Sequence, residues 1–175
     1  MNLLTLFNII ITTPFSMWTY NMWVYPLFNL PTTSTELHSF WYIFPMLFTL
    51  AVLYDFLFGG MHWLAHNRML FRYVHYIHHK CIHPSGFDAF NTHPLEHIFV
   101  NVWPLLLSAS LVAYHMVHLI IIGIVAVLTT MYAHSSFEGH EHTFHHVKGH
   151  SNYGSWPYIF DRVIGTYRID KESRK

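Results

Sequence analysis

The chain has 175 residues, the length of one domain, with nine basic and nine acidic side chains and no formal net charge. Charged residues make up 10% and hydrophobic residues 53%, with a mean hydropathy of +0.27. A soluble domain carries about 25% charge, so this composition points to a membrane protein and excludes both disorder and a basic nucleic-acid-binding surface. Seventeen histidines need an explanation, and the single cysteine, Cys81, permits no internal disulfide.

The first thirty residues hold no charge. Met1 to Ile11 is apolar, Thr12-Thr13-Pro14 predicts a break, and Trp18, Tyr20, Trp23 and Tyr25 fit an interfacial aromatic belt. No Lys or Arg precedes the apolar run, so it lacks the basic start of a cleaved signal peptide. A poorly formed spanning or interfacial helix is expected. Leu30 to Thr35 reads as a loop, with Ser34 or Thr35 as a helix cap.

Phe40 to Phe58 is an apolar run broken only by Asp55, and Met116 to Ala133 carries no formal charge. Both are long enough to span a bilayer; Ile98 to Tyr114, interrupted by Asn101 and Pro104, is marginal. The last two form a helical hairpin turning near Tyr114-His115, which returns the chain to the face it left. All basic residues lie at 68–80 or from Lys148 onward. The positive-inside rule puts both regions on the cytoplasmic side.

The histidines are patterned. His62 and His66 form HxxxH just past the first apolar run, His75, His78 and His79 form HxxHH, and His142, His145 and His146 repeat HxxHH. Residues three and four apart share a helix face, and an i,i+4 pair is ~6 Å apart along the axis. These eight imidazoles exceed one coordination shell and suit a two-metal centre. The hairpin also returns His134 to their level. His38, His115 and His118 read as core residues, and a loose metal-buffering tract is disfavoured by the interleaved Trp63, Phe71, Tyr73, Tyr76 and Phe144.

Other elements occur in order with these: Asp55 seven residues before His62, His93-Pro94-Leu95-Glu96, His134-Ser135, Asn152-Tyr153-Gly154, and Asp161-Arg162-Val163-Ile164-Gly165-Thr166. From about residue 55 to 168 the set resembles the sterol desaturase / fatty acid hydroxylase superfamily of membrane di-iron oxygenases, most of all its sterol C4-methyl oxidase and C5-desaturase branches. The resemblance implies an all-α integral membrane bundle with a histidine-rich di-metal cap on the cytoplasmic face. It implies one domain over 1–175, with 1–39 a reduced N-terminal membrane or interfacial segment and 40–175 the catalytic core. As metal ligands it implies His62, His66, His75, His78, His79, His134, His142, His145 and His146, holding two iron ions; zinc takes the same donors. It further implies a lipid substrate from the bilayer, an electron donor of the cytochrome b5 or ferredoxin type, and the endoplasmic reticulum.

The chain departs from the family where a Tyr three residues before the first His is Gly59 and an Arg just after it is Trp63. Asp55, two turns from His62, is expected to bond a ligand imidazole; Glu96 and Asp161 are candidates for the same role, Asp161 alternatively shaping the turn before Gly165. Glu138 and His140 are further candidates as ligands or ligand supports. His93 and His97 read as helix-start structure, with Pro94 opening the helix. No GxGxxG or P-loop occurs, so electrons come from outside. Two other readings stay open: a zinc-dependent membrane hydrolase on the same cluster, and a non-catalytic metal-binding relative.

Overall fold

The computed structural model describes residues 1–28, 40–82, 84–113, 115–135 and 141–169, and every regular element among them is helical. Ser34, Thr35, His38, Glu138 and His140 lie outside the described residues.

Three helices are long and apolar enough to cross a membrane: Ile43–Ala65, Pro94–Val112 and Val117–His134. The second, marginal by sequence, is the most enclosed of the three. The first and second pack together around Met46, Leu50, Ala109, Val112 and Ala113, and the third adds Ile122 to this small core. Away from it the third helix leaves Ile120, Ile124 and Leu128 exposed, as a lipid-facing surface requires. His115 caps this helix, its Nδ1 accepting from the Val117 amide at 3.1 Å.

The N-terminal residues form a helical run over 3–28 rather than a broken one. Asn2 caps it through Oδ1, which accepts from the Thr5 amide at 2.8 Å. Its buried face is polar: Thr5, Asn8, Thr12, Ser16 and Thr19, spaced three or four apart, are at most 4% exposed. Leu3, Ile10, Phe15, Trp18 and Trp23 point outward. That inverts the pattern of a soluble helix and fits a lipid environment, where polar groups glue helices together. Asn8 Nδ2 donates to the Phe90 and Thr92 carbonyls at 2.9 and 2.8 Å, and the Tyr20 hydroxyl donates to Ser110 Oγ at 2.9 Å.

The break expected at Thr12-Thr13-Pro14 is absorbed by a widened π-turn, Asn8–Thr12, and the helix resumes with Pro14 in its first turn. Proline lacks the N–H for the usual ladder, and the wider turn reroutes the ladder ahead of it. The second spanning helix repeats the device, with the π-turn His97–Val102 preceding Pro104.

Beyond the membrane helices, Asn67 caps a short helical stretch over 68–79, and the Glu141–Lys148 helix lies against the end of the third spanning helix. The Ile159–Ile164 helix packs on the first. These three short helices and the ends of two long ones enclose the histidines.

Candidate metal centre

The structure brings all nine sequence-identified histidines together, in two groups: His62, His66, His75, His79 and His145, and His78, His134, His142 and His146. Within each group one nitrogen per ring lies within 4.8 Å of all the others. The HxxHH motifs feed both groups because adjacent residues project on different sides of a helix. His78 and His146 turn to the second group, and His75, His79 and His145 to the first.

The inward nitrogens are Nε2 atoms packed closer than neutral rings alone would favour. In the first group, His62–His75, His75–His66, His66–His145 and His145–His79 are separated by 3.1, 3.0, 3.2 and 3.1 Å. In the second, His134 Nε2 lies 3.1 Å from His78 and 3.0 Å from His142.

The outward nitrogens fix the protons. His62 Nδ1 donates to the Tyr153 carbonyl at 2.7 Å, His75 Nδ1 to Glu96 Oε1 at 2.8 Å, and His145 Nδ1 to the Ser151 carbonyl at 2.6 Å. His134 Nδ1 donates to the Thr130 carbonyl at 2.9 Å and His146 Nδ1 to the Cys81 carbonyl at 3.2 Å. A ring that gives its Nδ1 proton to an oxygen has a bare lone pair at Nε2. His146 Nε2 is buried with no hydrogen-bond partner among the described residues. Lone pairs facing one another at such distances repel unless a cation sits among them. With metal–nitrogen bonds of ~2.0–2.1 Å, neighbouring donors stand ~2.9 Å apart in an octahedron and ~3.3 Å apart in a tetrahedron. The observed spacings fall between these values, so the donor sets fit metal ions.

Burial keeps these rings neutral, as ligation requires. It holds His79 down to about 4, and His66 down to about 3 with a further push from His79. His75, His78, His142 and His145 lie well below the ordinary histidine value, through burial first and neighbouring imidazoles second.

The three described acidic candidates take different places. Glu96 meets the expectation of a direct bond, through His75. Asp55 does not: its carboxylate accepts from the Ser155 and Phe160 amides, both at 3.0 Å. This corrects its expected partner. Asp161 accepts from the Tyr153 and Gly154 amides at 2.8 and 2.7 Å and from Thr166 Oγ1 at 2.6 Å, so it shapes the turn. Both aspartates thus act one step removed, by holding the loop whose Ser151 and Tyr153 carbonyls orient His145 and His62. Asn152 between them adopts a left-handed backbone, φ 56°, and anchors it by donating to the Glu141 and Arg168 carbonyls at 3.1 and 2.9 Å. Gly154 fits between the aspartates, because a Cβ there would collide with Asp55 Oδ1 and stand 2.9 Å from Asp161 Oδ2.

The packing also explains the departure at residue 59. A Cβ on Gly59 would lie 2.6 Å from Phe160 Cδ1, so the Phe160 ring fills the space that a side chain there would need. Trp63, the other departure, is 55% exposed on the outer face of the same helix. His93 accepts from the Leu95 amide at 3.2 Å ahead of Pro94, as helix-start structure does.

Fold and site together define a class: an all-helical integral membrane protein whose membrane helices end in a histidine-rich cap able to hold two metals. The chain belongs to the fatty acid hydroxylase family, whose model matches residues 46–166. It is 27% identical to methylsterol monooxygenase 1 of Gallus gallus, covering 79% of this chain and 51% of that protein. It is 31% identical to a Delta(7)-sterol 5(6)-desaturase of Gibberella zeae, covering 80% and 42%. A very-long-chain aldehyde decarbonylase of Oryza sativa is 28% identical, covering 71% and 51%. The chain thus spans about half the length of these curated relatives. No solved structure matches it significantly.

Proposed function

We propose that this chain is a membrane-bound non-haem di-iron oxygenase that hydroxylates or desaturates a lipid, with its nine clustered histidines as the ligands and residues 1–175 working as one domain. One observation carries the reading. A cavity of about 1040 Å³ has His62, His75, His78, His134 and His142 in its wall and continues between the spanning helices past Leu105, Ala109 and Ile122. A site that joins a two-metal donor set to an apolar chamber at bilayer depth suits an apolar substrate delivered from the membrane.

When bound, iron supplies the dioxygen chemistry needed to oxidise an unactivated C–H bond, which zinc, having no redox chemistry, does not. The protein's own part is positional. The Tyr153, Ser151, Thr130 and Cys81 carbonyls and Glu96 keep the Nδ1 protons outward and the Nε2 lone pairs inward. The cavity wall excludes water from the ligand face and holds the substrate's hydrocarbon against it. Electrons come from a separate donor of the cytochrome b5 or ferredoxin type. The exposed Arg68, Arg72 and Lys80 lie beside the cap, and we place that face in the cytoplasm, with the protein in the endoplasmic reticulum.

Lipid profiling of cells with and without the chain, paired with iron and O₂ measurements on purified protein, tests the reading. The expected result is a hydroxylated or desaturated lipid formed with O₂ consumption that depends on iron. Turnover by a zinc-loaded chain without O₂ would contradict it and make the protein a hydrolase.

A further inference from the structure

We infer that residues 155–164 are sunk into the leaflet nearer the histidine cap, so that the Ile159–Ile164 helix is an anchor packed among phospholipid acyl chains. This anchoring is independent of the reaction at the histidines.

Depth is set by the first spanning helix. The Tyr42 hydroxyl donates at 3.0 Å to the Val112 carbonyl, at the end of the second spanning helix away from the cap. Tyr42 therefore marks the far side of the membrane. At ~1.5 Å per residue, Asp55 stands ~20 Å along the helix from there and His62 ~30 Å. The hydrocarbon layer is ~30 Å thick, which puts Asp55 about 10 Å inside its near boundary. Asp55 is fully buried, and the Ser155 and Phe160 amides meet its carboxylate at 3.0 Å. The Phe160 ring stands edge-on to Phe56, with centroids 6.2 Å apart. The chain from 155 to 160 thus lies beside the span, at the depth of Asp55, and not above it.

Irregular backbone is tolerated at that depth only when its polar groups bond within the protein. Asp55 takes the amides of Ser155 and Phe160, and Asp161 takes those of Tyr153 and Gly154. The Asn152 amide donates to the Thr166 carbonyl and the Tyr158 amide to the Ser155 carbonyl. Pro157 has no amide proton to satisfy. The side chains do the opposite of the backbone. Trp156, Val163 and Ile164 are 63%, 69% and 42% exposed, although all three are apolar. A turn facing water would show the reverse, polar side chains and amides left to solvent.

The apolar surface continues onto the first spanning helix. Phe56, Trp63 and Leu64 are exposed there, and Gly60, Phe160 and Ile164 line an apolar groove of about 460 Å³ between the two helices. The cations flank this surface. Arg162 stacks its guanidinium 4.0 Å over the Tyr167 ring, and Arg168 donates to the Gly165 and Tyr167 carbonyls at 3.1 and 2.8 Å. Both are exposed, and neither pairs with a carboxylate among the described residues. An apolar face for acyl chains with basic groups left for phosphates is the pattern of an interfacial helix. The anchored segment continues the loop whose Ser151 and Tyr153 carbonyls orient His145 and His62.

The test uses the wild-type, full-length chain in nanodiscs of phosphatidylcholine and phosphatidylserine, part of the phosphatidylcholine carrying a diazirine midway along one acyl chain. Illumination and peptide mass spectrometry should place adducts on the peptide holding Trp156, Val163 and Ile164. Their yield should be comparable to that at Ile124 and Leu128, on the lipid-facing side of the third spanning helix. A second measurement reads depth. A nitroxide on Val163→Cys, in a Cys81→Ala background, should collide with O₂ as one on Leu128→Cys does, and lose its collisions with a water-soluble nickel chelate. An unlabelled segment open to nickel would lie in water. A segment reached by neither the lipid label nor either collider would be covered by protein, such as a second copy of the chain. Either result overturns the inference. If the cysteine variant fails to fold, the wild-type labelling decides alone.

Discussion

The two histidine groups use the same donor atom at the same spacing, yet they are supported differently. In the five-membered group, His62, His75 and His145 are held by Tyr153, Glu96 and Ser151 at 2.6–2.8 Å. Those supports come from two distant parts of the chain, the 151–153 loop and the second spanning helix. In the four-membered group, His134 is held by a carbonyl of its own helix at 2.9 Å and His146 by Cys81 at 3.2 Å, while His78 Nδ1 has no partner among the described residues. Ligand type alone therefore does not make the sites equivalent. The described outer bonds of the first group are the shorter ones, and the comparison predicts that it holds its ion more tightly.

Perturbations that strike both groups should have the largest effects. The double substitution His145→Ala with His146→Ala removes one donor from each, and lipid oxidation should disappear with bound metal falling well below two ions per chain, read by elemental analysis. A scaffold role would leave function unchanged. Glu96→Ala acts on the first group alone. It strips the acceptor from His75 Nδ1 and should weaken that site about 10- to 100-fold, with the second site unaffected in a metal titration.

Gly154→Ala should do the same indirectly. The added methyl pushes against Asp55 and Asp161, loosening the loop behind His62 and His145 at a cost of about 1–3 kcal/mol in stability. Thermal melts of the zinc-loaded protein measure that cost, and a loss shared equally by both sites would erase the distinction between them.

The smallest effect is set by pH. His79 is held at about 4 and His66 at about 3 inside the fold, whereas an unfolded histidine protonates near ~6.5. Below that value the unfolded chain takes up protons that the folded site refuses. The stability present above pH ~6.5 is therefore lost progressively as pH falls toward the folded values, and bound metal with it. Metal retention measured from pH 7.5 to 3 should decline across this window; full retention at pH 3, below the value at which folded His79 protonates, would contradict the neutral-ligand account.

Much of this architecture could be read from the chain. Hydropathy located the spanning segments because nothing else keeps such runs free of charge, and three- and four-residue spacings placed each histidine motif on one helix face. What escaped is what sequence does not encode locally. The carbonyls of Ser151, Tyr153, Thr130 and Cys81 belong to the backbone and carry no residue signature. The carboxylate of Asp55 was expected to reach an imidazole, but the chain returns a hundred residues later to offer it the Ser155 amide instead. Pro14 read as a break because a π-turn that accommodates proline leaves no mark in composition. The buried face of the N-terminal helix consists of Thr, Ser and Asn, which resemble a loop until the surrounding solvent is taken to be lipid.

The most direct test of the whole account is X-ray absorption spectroscopy on the purified chain, with metal counted in the same sample. Two ions per chain, each with a first shell of imidazole nitrogens at ~2.0–2.2 Å, are predicted. A single ion, or a first shell dominated by oxygen or sulfur, would contradict it.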